Sequence, residues 1–441
     1  EHPEKARIVN RPRVFADHSV PATSRSDRAE VERLTKAGDA LVSVLVGVVD
    51  TGLEQNDPFF EGLLAVNEAE LDAEDRKDDD DPPNDFVDDV YGVGLASRDG
   101  VIYSSATDNP QGHGTKVATI VAAGTDHEAW RSTFPDAGPL LKMVSYSQQW
   151  LGPGVDPTVL ALAPKYLRRE GAAVVNMSLS SSRDTVPLSQ EISASEDPEL
   201  PDAPLFVVAA GNAKSGRGKQ LGPHRVFPAL YGGRSGRMSE TVVTVGAHNG
   251  AGELAGFSNY SSELVDLLAP GCSVKTRDQH GDVVLENGTS LATAAVSFTA
   301  ALVRSLGLDY PRRVKNRILA SVDYDPDLGS AAWSSGRLNM AKAVSLRYDV
   351  LEDGSGIRFG RLVAPGAMDD LCRDRPDPAL DNVRKVIPKG ERIEFWVEDH
   401  QRLHKRECRK AEGELAISFE LDGKLVDVPL SDVRDLVPAR L

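Results

Sequence analysis

The feature that most constrains the fold of this chain is a continuous apolar run from Leu41 to Val49, with the sequence LVSVLVGVV. Apolar residues at consecutive positions indicate a strand that is buried on both faces, and such strands belong to parallel sheets. Similar runs recur along the chain, at Leu140–Val144, Ala172–Leu179, Leu205–Ala210, Thr241–Ala247 and Leu264–Ala269. These runs predict a large parallel sheet that is covered on both faces.

Helical patterns lie between these predicted strands. They cover Gly112–Ala123, Asp156–Arg169, Ser290–Leu306 and Pro311–Val322. The third is small and apolar almost all round, which indicates a buried helix, and Gly307 provides its end. Strands that alternate with helices predict an α/β fold, with a mainly parallel central sheet flanked by helices.

The 441 residues exceed what one ordinary domain needs, so we expect a large domain and something smaller. Residues 1–40 are polar and predict an N-terminal extension with a helix near Asp27–Ala37. Residues 41–349 carry the α/β pattern. From about residue 350 the pattern changes to short strands, at Ile357–Val363, Arg392–Val397 and Leu415–Leu421. Residues 350–441 therefore predict a small β-rich C-terminal domain or extension.

Charge and termini limit the partners and the location of the protein. The formal net charge of −17 repels phosphate backbones and argues against nucleic acid as a partner. No apolar run has the length of a membrane span. The chain begins Glu1-His2-Pro3, with neither Met nor a signal-peptide pattern, as a processed or truncated N-terminus would. Secretion and an intracellular location both stay open.

The three cysteines, Cys272, Cys372 and Cys408, show no CxxC and no paired metal spacing. An odd number leaves at least one thiol unpaired within the chain. A disulfide between Cys372 and Cys408 is one alternative, but free buried thiols are the simpler interpretation and are favoured. Cysteine usage does not fix the cellular compartment.

Three short motifs place reactive side chains at the ends of predicted elements. They are Asp50-Thr51-Gly52 after the first strand, Gly112-His113-Gly114-Thr115 at a helix start, and Asn287-Gly288-Thr289-Ser290 before the buried helix. Each alone has a structural alternative: a strand exit, a helix-start histidine, or a serine that caps a helix. Catalytic groups gather at the carboxyl ends of strands in open α/β sheets. The order Asp, His, Ser at three element ends therefore favours a catalytic site.

In this order and setting, the motifs resemble those of the subtilisin-like serine protease family, the subtilases. The resemblance covers roughly residues 41–349. Further segments agree with the family in the same chain order: Asn176–Leu179, Val207–Asn212, Gly256–Tyr260 and Leu268–Gly271.

The resemblance implies a serine endopeptidase that works through an acyl-enzyme intermediate. Asp50 would orient the imidazole, His113 would be the general base, and Ser290 the nucleophile. Asn212 would donate to the oxyanion, and the chemistry would require no metal or other cofactor. The implied substrate-binding residues are Ser178, Leu179, Ser180, Ala210, Gly211 and Val226.

Several residues depart from the family pattern. Leu291, Ala294 and Ala295 replace the usual Met, Pro and His after the nucleophile, and Lys116 stands where an apolar residue or His is common. Ser180 stands where Gly is common at the rim of the substrate pocket. Val226 stands where the base of the pocket often has Gly, so we expect a shallow pocket that prefers small or medium apolar residues.

The acidic segment at residues 68–90 resembles an Asp/Asn-rich insertion of the same family. Clustered carboxylates suit calcium, which binds six to eight oxygen atoms. The resemblance therefore implies a structural calcium, although a solvated acidic loop is the alternative. The candidate ligands are Asp79, Asp81, Asn84, Asp85 and Asp88.

Two rival interpretations remain beside the enzyme. A catalytically inactive chain could keep the subtilisin fold as a peptide-binding scaffold. An aspartic protease that uses Asp50 would need a second Asp-Thr/Ser-Gly in a β-rich fold, and the chain has no convincing one. The expected partner is a protein or peptide substrate. No inhibitory propeptide is recognisable in residues 1–40, so it has been removed or this member lacks one.

Overall fold

We describe the fold from a computed structural model. The structure describes residues 43–71, 86–95, 112–133, 139–146, 160–184, 186–194, 203–346, 348–354, 356–363, 371–372, 382–399, 402–411, 413, 415–421 and 424–439. The helix predicted near Asp27–Ala37 lies outside these residues. None of the described helices is long and apolar enough to cross a membrane.

In the part of the chain that the structure describes, the larger of two main sheets has nine strands and contains most of the predicted apolar runs. It includes the strands β1 (Leu45–Asp50), β2 (Gly92–Gly94), β3 (Leu140–Ser145), β4 (Val174–Met177), β5 (Leu205–Ala209), β6 (Val242–His248) and β7 (Leu267–Pro270). A separate hairpin follows, formed by β8 (Val274–Arg277) and β9 (Val283–Glu286), and the short strands β10 (Asp323–Tyr324) and β11 (Gly336–Arg337) extend the large sheet.

The strand order is β10-β11-β7-β6-β5-β4-β1-β3-β2, and every neighbouring pair is parallel except β10 with β11. This confirms the predicted α/β fold with a mainly parallel sheet. The strand ends that carry Asp50 and Met177 lie side by side, because β1 pairs with β4 in register. The predicted motifs therefore meet at one edge of the sheet.

Helices cover both faces of the large sheet. They are α1 (His113–Ala123), α2 (His127–Thr133), α3 (Leu162–Arg169), α4 (Val186–Ser193), α5 (Thr289–Ser305), α6 (Pro311–Ala320) and α7 (Met340–Val344). Val46 and Val48 of β1 pack in the core cluster of α1 and α5, whereas Val49 packs in the cluster of α3 and α4. Every residue of α5 except Arg304 is buried, as its small apolar sequence predicts.

The C-terminal part forms a second sheet, which confirms the predicted β-rich unit. Its strands are β12 (Asp349–Asp353), β13 (Gly356–Leu362), β14 (Val383–Lys389), β15 (Arg392–Asp399), β16 (Arg402–Arg409), β17 (Ala416–Leu421), β18 (Lys424–Pro429) and β19 (Asp435–Val437). They are antiparallel, in the order β16-β15-β14-β19-β12-β13-β17-β18. The division at residue 350 stays a prediction.

The cysteine pairing differs from the expectation. Cys372 and Cys408 form a disulfide with a Cα–Cα distance of 5.8 Å, so the preference for free thiols at these positions was wrong. The reason lies in the sheet: Cys408 is on β16, and Cys372 forms a bridge with Lys410 beside the end of that strand. A separation of 36 residues in sequence gives no sign of this proximity. Cys272 is a free, partly buried thiol.

Candidate active site

Asp50 occupies the carboxyl end of β1 and is fully buried. Its Oδ1 accepts a hydrogen bond from the Thr51 backbone N–H at 2.7 Å and lies 2.6 Å from Nδ1 of His113. Among the described residues, its Oδ2 has no hydrogen-bond partner. These contacts hold the carboxylate in place next to the imidazole.

His113 is the first residue of α1, and the glycine after it lets the helix start approach the Asp50–Gly52 turn. A Cβ on Gly114 would lie 1.9 Å from the carbonyl oxygen of Gly52, so no side chain fits there. The Gly114 N–H donates to Oγ1 of Thr51 at 3.1 Å. The two motifs therefore dock against each other, and their contact fixes the imidazole beside Asp50.

The pKa of His113 is the result of opposing effects. Burial lowers the pKa, but the charge of Asp50 and its hydrogen bond to the ring raise it, so that the pKa lies above the ordinary value of 6.5. Lys116 lowers the pKa and Glu286 raises it. Asp50 is thus the main group that stabilises the imidazolium.

Ser290 is the second residue of α5 and is 8% exposed. Its hydroxyl donates to the Ser178 carbonyl at 3.2 Å, and the Ser178 hydroxyl donates to the Ser290 carbonyl at 2.9 Å. Asn176 donates from Nδ2 to the Ser178 hydroxyl at 3.0 Å, and its Oδ1 accepts from Ser297 at 2.9 Å. This buried chain of hydrogen bonds holds the start of α5 on the end of β4.

Asn212 follows β5, and its side chain turns towards the start of α5. Its Oδ1 accepts hydrogen bonds from the backbone N–H and the hydroxyl of Thr289, at 3.0 and 2.9 Å. Because a backbone N–H can only donate, Oδ1 must face Thr289, and Nδ2 is then free to point elsewhere.

The space beside Gly288 shows where the Asn212 amide points. A Cβ on Gly288 would lie 3.5 Å from Nδ2 of Asn212 and 3.7 Å from the Ser290 backbone nitrogen. Two backbone or side-chain nitrogen donors therefore border the small space that a Cβ at position 288 would occupy. Such paired donors suit an oxygen atom that develops negative charge.

Some of the predicted substrate-binding residues lie close together in the structure. Ser178, Leu179, Ala210 and Val226 are buried, whereas Ser180 is exposed. A Cβ on Gly211, which has a φ of +89°, would lie 3.3 Å from Val226 and 3.7 Å from Ser180. Ser181 and Phe227 exchange two backbone hydrogen bonds of 2.8 Å. Ser180, Gly211 and Val226 thus meet where three segments converge.

Sequence reasoning gave no role to several residues that support these groups. Thr289 orients Asn212, and Ser297 belongs to the hydrogen-bond chain below Ser290. Asn259 holds the turn before Asn212, because its Nδ2 donates to Ala210 at 2.9 Å and its backbone N–H donates to Gly211 at 3.0 Å. Asn176 and Asn259 stand in segments that resemble the family, which was the only available signal.

Of the five candidate calcium ligands, Asp79, Asp81, Asn84 and Asp85 lie outside the described residues. Asp88 has a buried Oδ1 without a hydrogen-bond partner in the described part of the chain, and its backbone N–H donates to Glu70 at 2.8 Å. The described residues contain no group of three or more His, Cys, Asp or Glu side chains that could hold a metal ion.

Known proteins resemble this chain over the large sheet and its helices. A model described as the subtilase family matches residues 42–334. Thermitase from Thermoactinomyces vulgaris is 27% identical over 306 residues, which cover 68% of this chain and 88% of thermitase. The major intracellular serine protease of Bacillus subtilis (strain 168) is 25% identical over 269 residues, which cover 60% of this chain and 69% of that protein.

Among solved structures, the crystal structure of MycP1 with the N-terminal propeptide removed is similar. It has a TM-score of 0.48 and 20% identity, and the match covers 72% of this chain and 96% of that chain.

Proposed function

The chain belongs to the subtilase family of serine peptidases, and from that premise we propose that it cleaves peptide bonds with Asp50, His113 and Ser290 as its triad. The observation that carries the proposal is the 2.6 Å contact between Nδ1 of His113 and Oδ1 of the buried Asp50. This contact commits Nδ1 to the carboxylate and leaves Nε2 as the basic nitrogen.

The proposed reaction follows from these positions. Nε2 of His113 takes the proton of the Ser290 hydroxyl while Oγ forms a bond to the substrate carbonyl carbon. The resulting imidazolium lies against Asp50 and then protonates the leaving amine, so that the peptide bond breaks and an acyl-enzyme remains. A water molecule, activated by the same imidazole, hydrolyses the ester and restores Ser290.

Asn212 and the Ser290 backbone N–H form the proposed oxyanion hole. Both border the space in front of Gly288, and Thr289 holds the amide in a donating orientation. Donors that are fixed before the reaction cost no reorganisation when the carbonyl oxygen becomes negative. The interaction therefore favours the transition state over the ground state.

The proposed pocket for the residue before the scissile bond includes Ser180, Gly211 and Val226. Because the Val226 side chain approaches Gly211, we propose a shallow pocket that accepts small or medium apolar residues. Peptide-library cleavage profiles of the wild type and Val226→Gly test this. The variant should also cleave peptides that have a large apolar residue before the scissile bond. An unchanged cleavage profile would show that Val226 does not line the pocket.

We also propose that a structural calcium ion binds the acidic segment through Asp79, Asp81, Asn84, Asp85 and Asp88. The unpartnered buried oxygen of Asp88 fits a cation ligand. The ion would stabilise the fold and take no part in bond cleavage. Thermal unfolding with calcium and with a chelator tests this, since a ligand that binds only the folded state raises the unfolding temperature. Equal unfolding temperatures would contradict it.

A fluorophosphonate probe, which reacts with activated serines, tests the enzymatic function itself. The full chain should be labelled, and Ser290→Ala and His113→Ala should not. Ser305→Ala is the matched control, because Ser305 lies on the same helix and bonds only to Leu302 in the described residues. If the folded wild type is not labelled, the proposed enzymatic function fails.

A further inference from the structure

An ion pair joins the helix of His113 to the segment that precedes Ser290. Nζ of Lys116 lies 2.7 Å from Oε2 of Glu286, and their side chains are 16% and 40% exposed. Lys116 is on α1, three residues after His113, and Glu286 ends β9, four residues before Ser290. The pair therefore links the helix that carries His113 to the strand that precedes the Ser290 helix.

Lys116 needs a counterion at this place. It lies in the first turn of α1, where the positive end of the helix dipole disfavours a cation. It also shares a helix face with His113, since residues three positions apart are neighbours on a helix. Without Glu286, its charge would oppose protonation of the imidazole.

Both residues of the pair are anchored by further hydrogen bonds. The Lys116 carbonyl accepts from the Thr276 hydroxyl at 2.6 Å, which ties α1 to β8. Oε1 of Glu286 accepts from the Asn287 backbone N–H at 3.2 Å, and Oδ1 of Asn287 accepts from the Ser273 backbone N–H at 2.7 Å. The carboxylate is thus fixed to the turn that leads into α5.

We propose that Lys116 and Glu286 form a positioning pair that holds α1 against the Ser290 segment and balances the charge around His113. The inference rests on the proposed function. Neither residue touches the reacting atoms: they act through the position and the electrostatic environment of the imidazole.

Among the described residues, three charged groups act on His113 from the elements around it. They are Asp50 from β1, Lys116 from α1 itself and Glu286 from β9. Lys116 lowers the pKa of His113 and Glu286 raises it, so the two members of the pair have opposite effects. Removing one charge at a time must therefore move the imidazole pKa in opposite directions.

The first test is an NMR titration of His113 in the full chain with Ser290→Ala, which needs no activity. Glu286→Gln should lower the pKa of His113, and Lys116→Met should raise it. Glu128→Gln is the control, because it breaks the Lys275–Glu128 ion pair, whose Lys275 is on β8 of the same hairpin. Shifts in the same direction, no shift, or an equal shift in the control would overturn the charge-balance role.

The second test measures the kinetics of the double variant Lys116→Met/Glu286→Gln. This variant removes two charges of opposite effect and, with them, the ion pair that links α1 to β9. The plateau of kcat/KM should fall about threefold to tenfold, as expected for a displacement well below 1 Å. If the folded double variant has the same plateau value of kcat/KM as the wild type, the positioning role is overturned. If the wild type fails to react with the fluorophosphonate probe, the proposed function fails, while the titration still reports on the pair.

Discussion

The hydrogen-bonding capacity of single residues decides what the Asn212 amide can do. The backbone N–H and the hydroxyl of Thr289 both donate to Oδ1 of Asn212. A hydroxyl can also accept a hydrogen bond, but a backbone N–H can only donate. The backbone donor therefore fixes which end of the amide faces α5. The proposed donor role of Asn212 therefore depends on Thr289, which orients the amide.

Replacing Asn212 with Leu keeps much of the side-chain volume and removes the donor. We expect kcat to fall about 10²–10³-fold with little change in KM, because the lost hydrogen bond forms in the transition state. Thr289→Val removes one of the two bonds that orient the amide, so its loss of kcat should be smaller. Steady-state kinetics on a peptide substrate measure both values, and a rise in KM at constant kcat would contradict the assignment.

The pH dependence of activity follows from the raised pKa of His113. The imidazole accepts a proton only when it is neutral, so kcat/KM should fall as the pH drops through a pKa above 6.5. In Asp50→Asn the charge of Asp50, the largest effect that raises the pKa of His113, is lost while burial remains, so the acidic limb should move to lower pH. The plateau should also fall about 10⁴-fold, because the imidazole tautomer is no longer held.

A pH profile of kcat/KM for the wild type and Asp50→Asn checks this prediction. An acidic limb at or below 6.5 in the wild type would contradict the raised pKa. A limb that moves to higher pH in the variant would show that Asp50 does not stabilise the imidazolium.

At the scale of secondary-structure elements, the sequence predicts what is buried better than what is exposed. A strand covered on both faces is mostly apolar at consecutive positions. β5 satisfies this rule along its whole length, and β6 is buried throughout although it includes Thr244 and His248. β10 and β11, the last two strands at one side of the sheet, have two residues each and no such pattern. β16 is rich in charged residues and mostly exposed, so its sequence, RLHKRECR, gives no apolar signal.

The candidate site divides in a similar way. The Asp50, His113 and Ser290 motifs are short and lie at the ends of elements, so they can be identified from the sequence alone. The partners that orient them are distant in sequence: Thr289 is 77 residues from Asn212, and Ser297 is 121 residues from Asn176. Such pairs exist only after the sheet has brought their segments together.

The contact between α1 and β1 gives a prediction at this scale. In Gly114→Ala the new methyl group would lie 1.9 Å from the Gly52 carbonyl oxygen, a backbone atom that cannot turn away. The helix start must move, which we expect to cost about 1–3 kcal/mol of unfolding free energy. Activity should fall further than stability alone explains, because His113 moves with the helix.

Gly354→Ala is the matched control for this change, because no heavy atom lies within 4 Å of a Cβ built there. Denaturant unfolding and kcat/KM are measured for both variants. If Gly114→Ala keeps the wild-type kcat/KM, the close approach of the two motifs does not position the imidazole.

Across the whole molecule, a buried polar network joins the two sheets. Nζ of Lys385 on β14 donates to the carbonyls of Ala320 and Val322 at 2.9 and 2.8 Å, and to Asp435 at 2.6 Å. Nζ of Lys342 on α7 lies 2.9 Å from the same carboxylate oxygen of Asp435. Two fully buried lysines, one from each part of the chain, thus share one buried carboxylate.

The network draws on both parts of the chain, because Lys342 also lies 3.0 Å from Asp323 and 2.6 Å from Glu352. Arg317 of α6 adds to it by donating to the Pro438 carbonyl at 3.3 Å and to the Lys342 carbonyl at 2.6 Å. A buried charge that loses its partner destabilises a protein far more than a surface ion pair stabilises it. The C-terminal sheet is therefore expected to unfold together with the peptidase part.

Replacing Asp435 with Ala tests this expectation. Lys385 would keep its two carbonyl acceptors but lose its counterion, so we expect a loss of about 3–5 kcal/mol of unfolding free energy. Asp432→Ala is the control, because Asp432 lies nearby in sequence and is exposed. Denaturant unfolding is followed by tryptophan fluorescence and by loss of fluorophosphonate labelling. In Asp435→Ala, both transitions should move to lower denaturant concentration by the same amount. If the C-terminal sheet unfolds at lower denaturant while the loss of labelling does not shift, the two parts unfold independently.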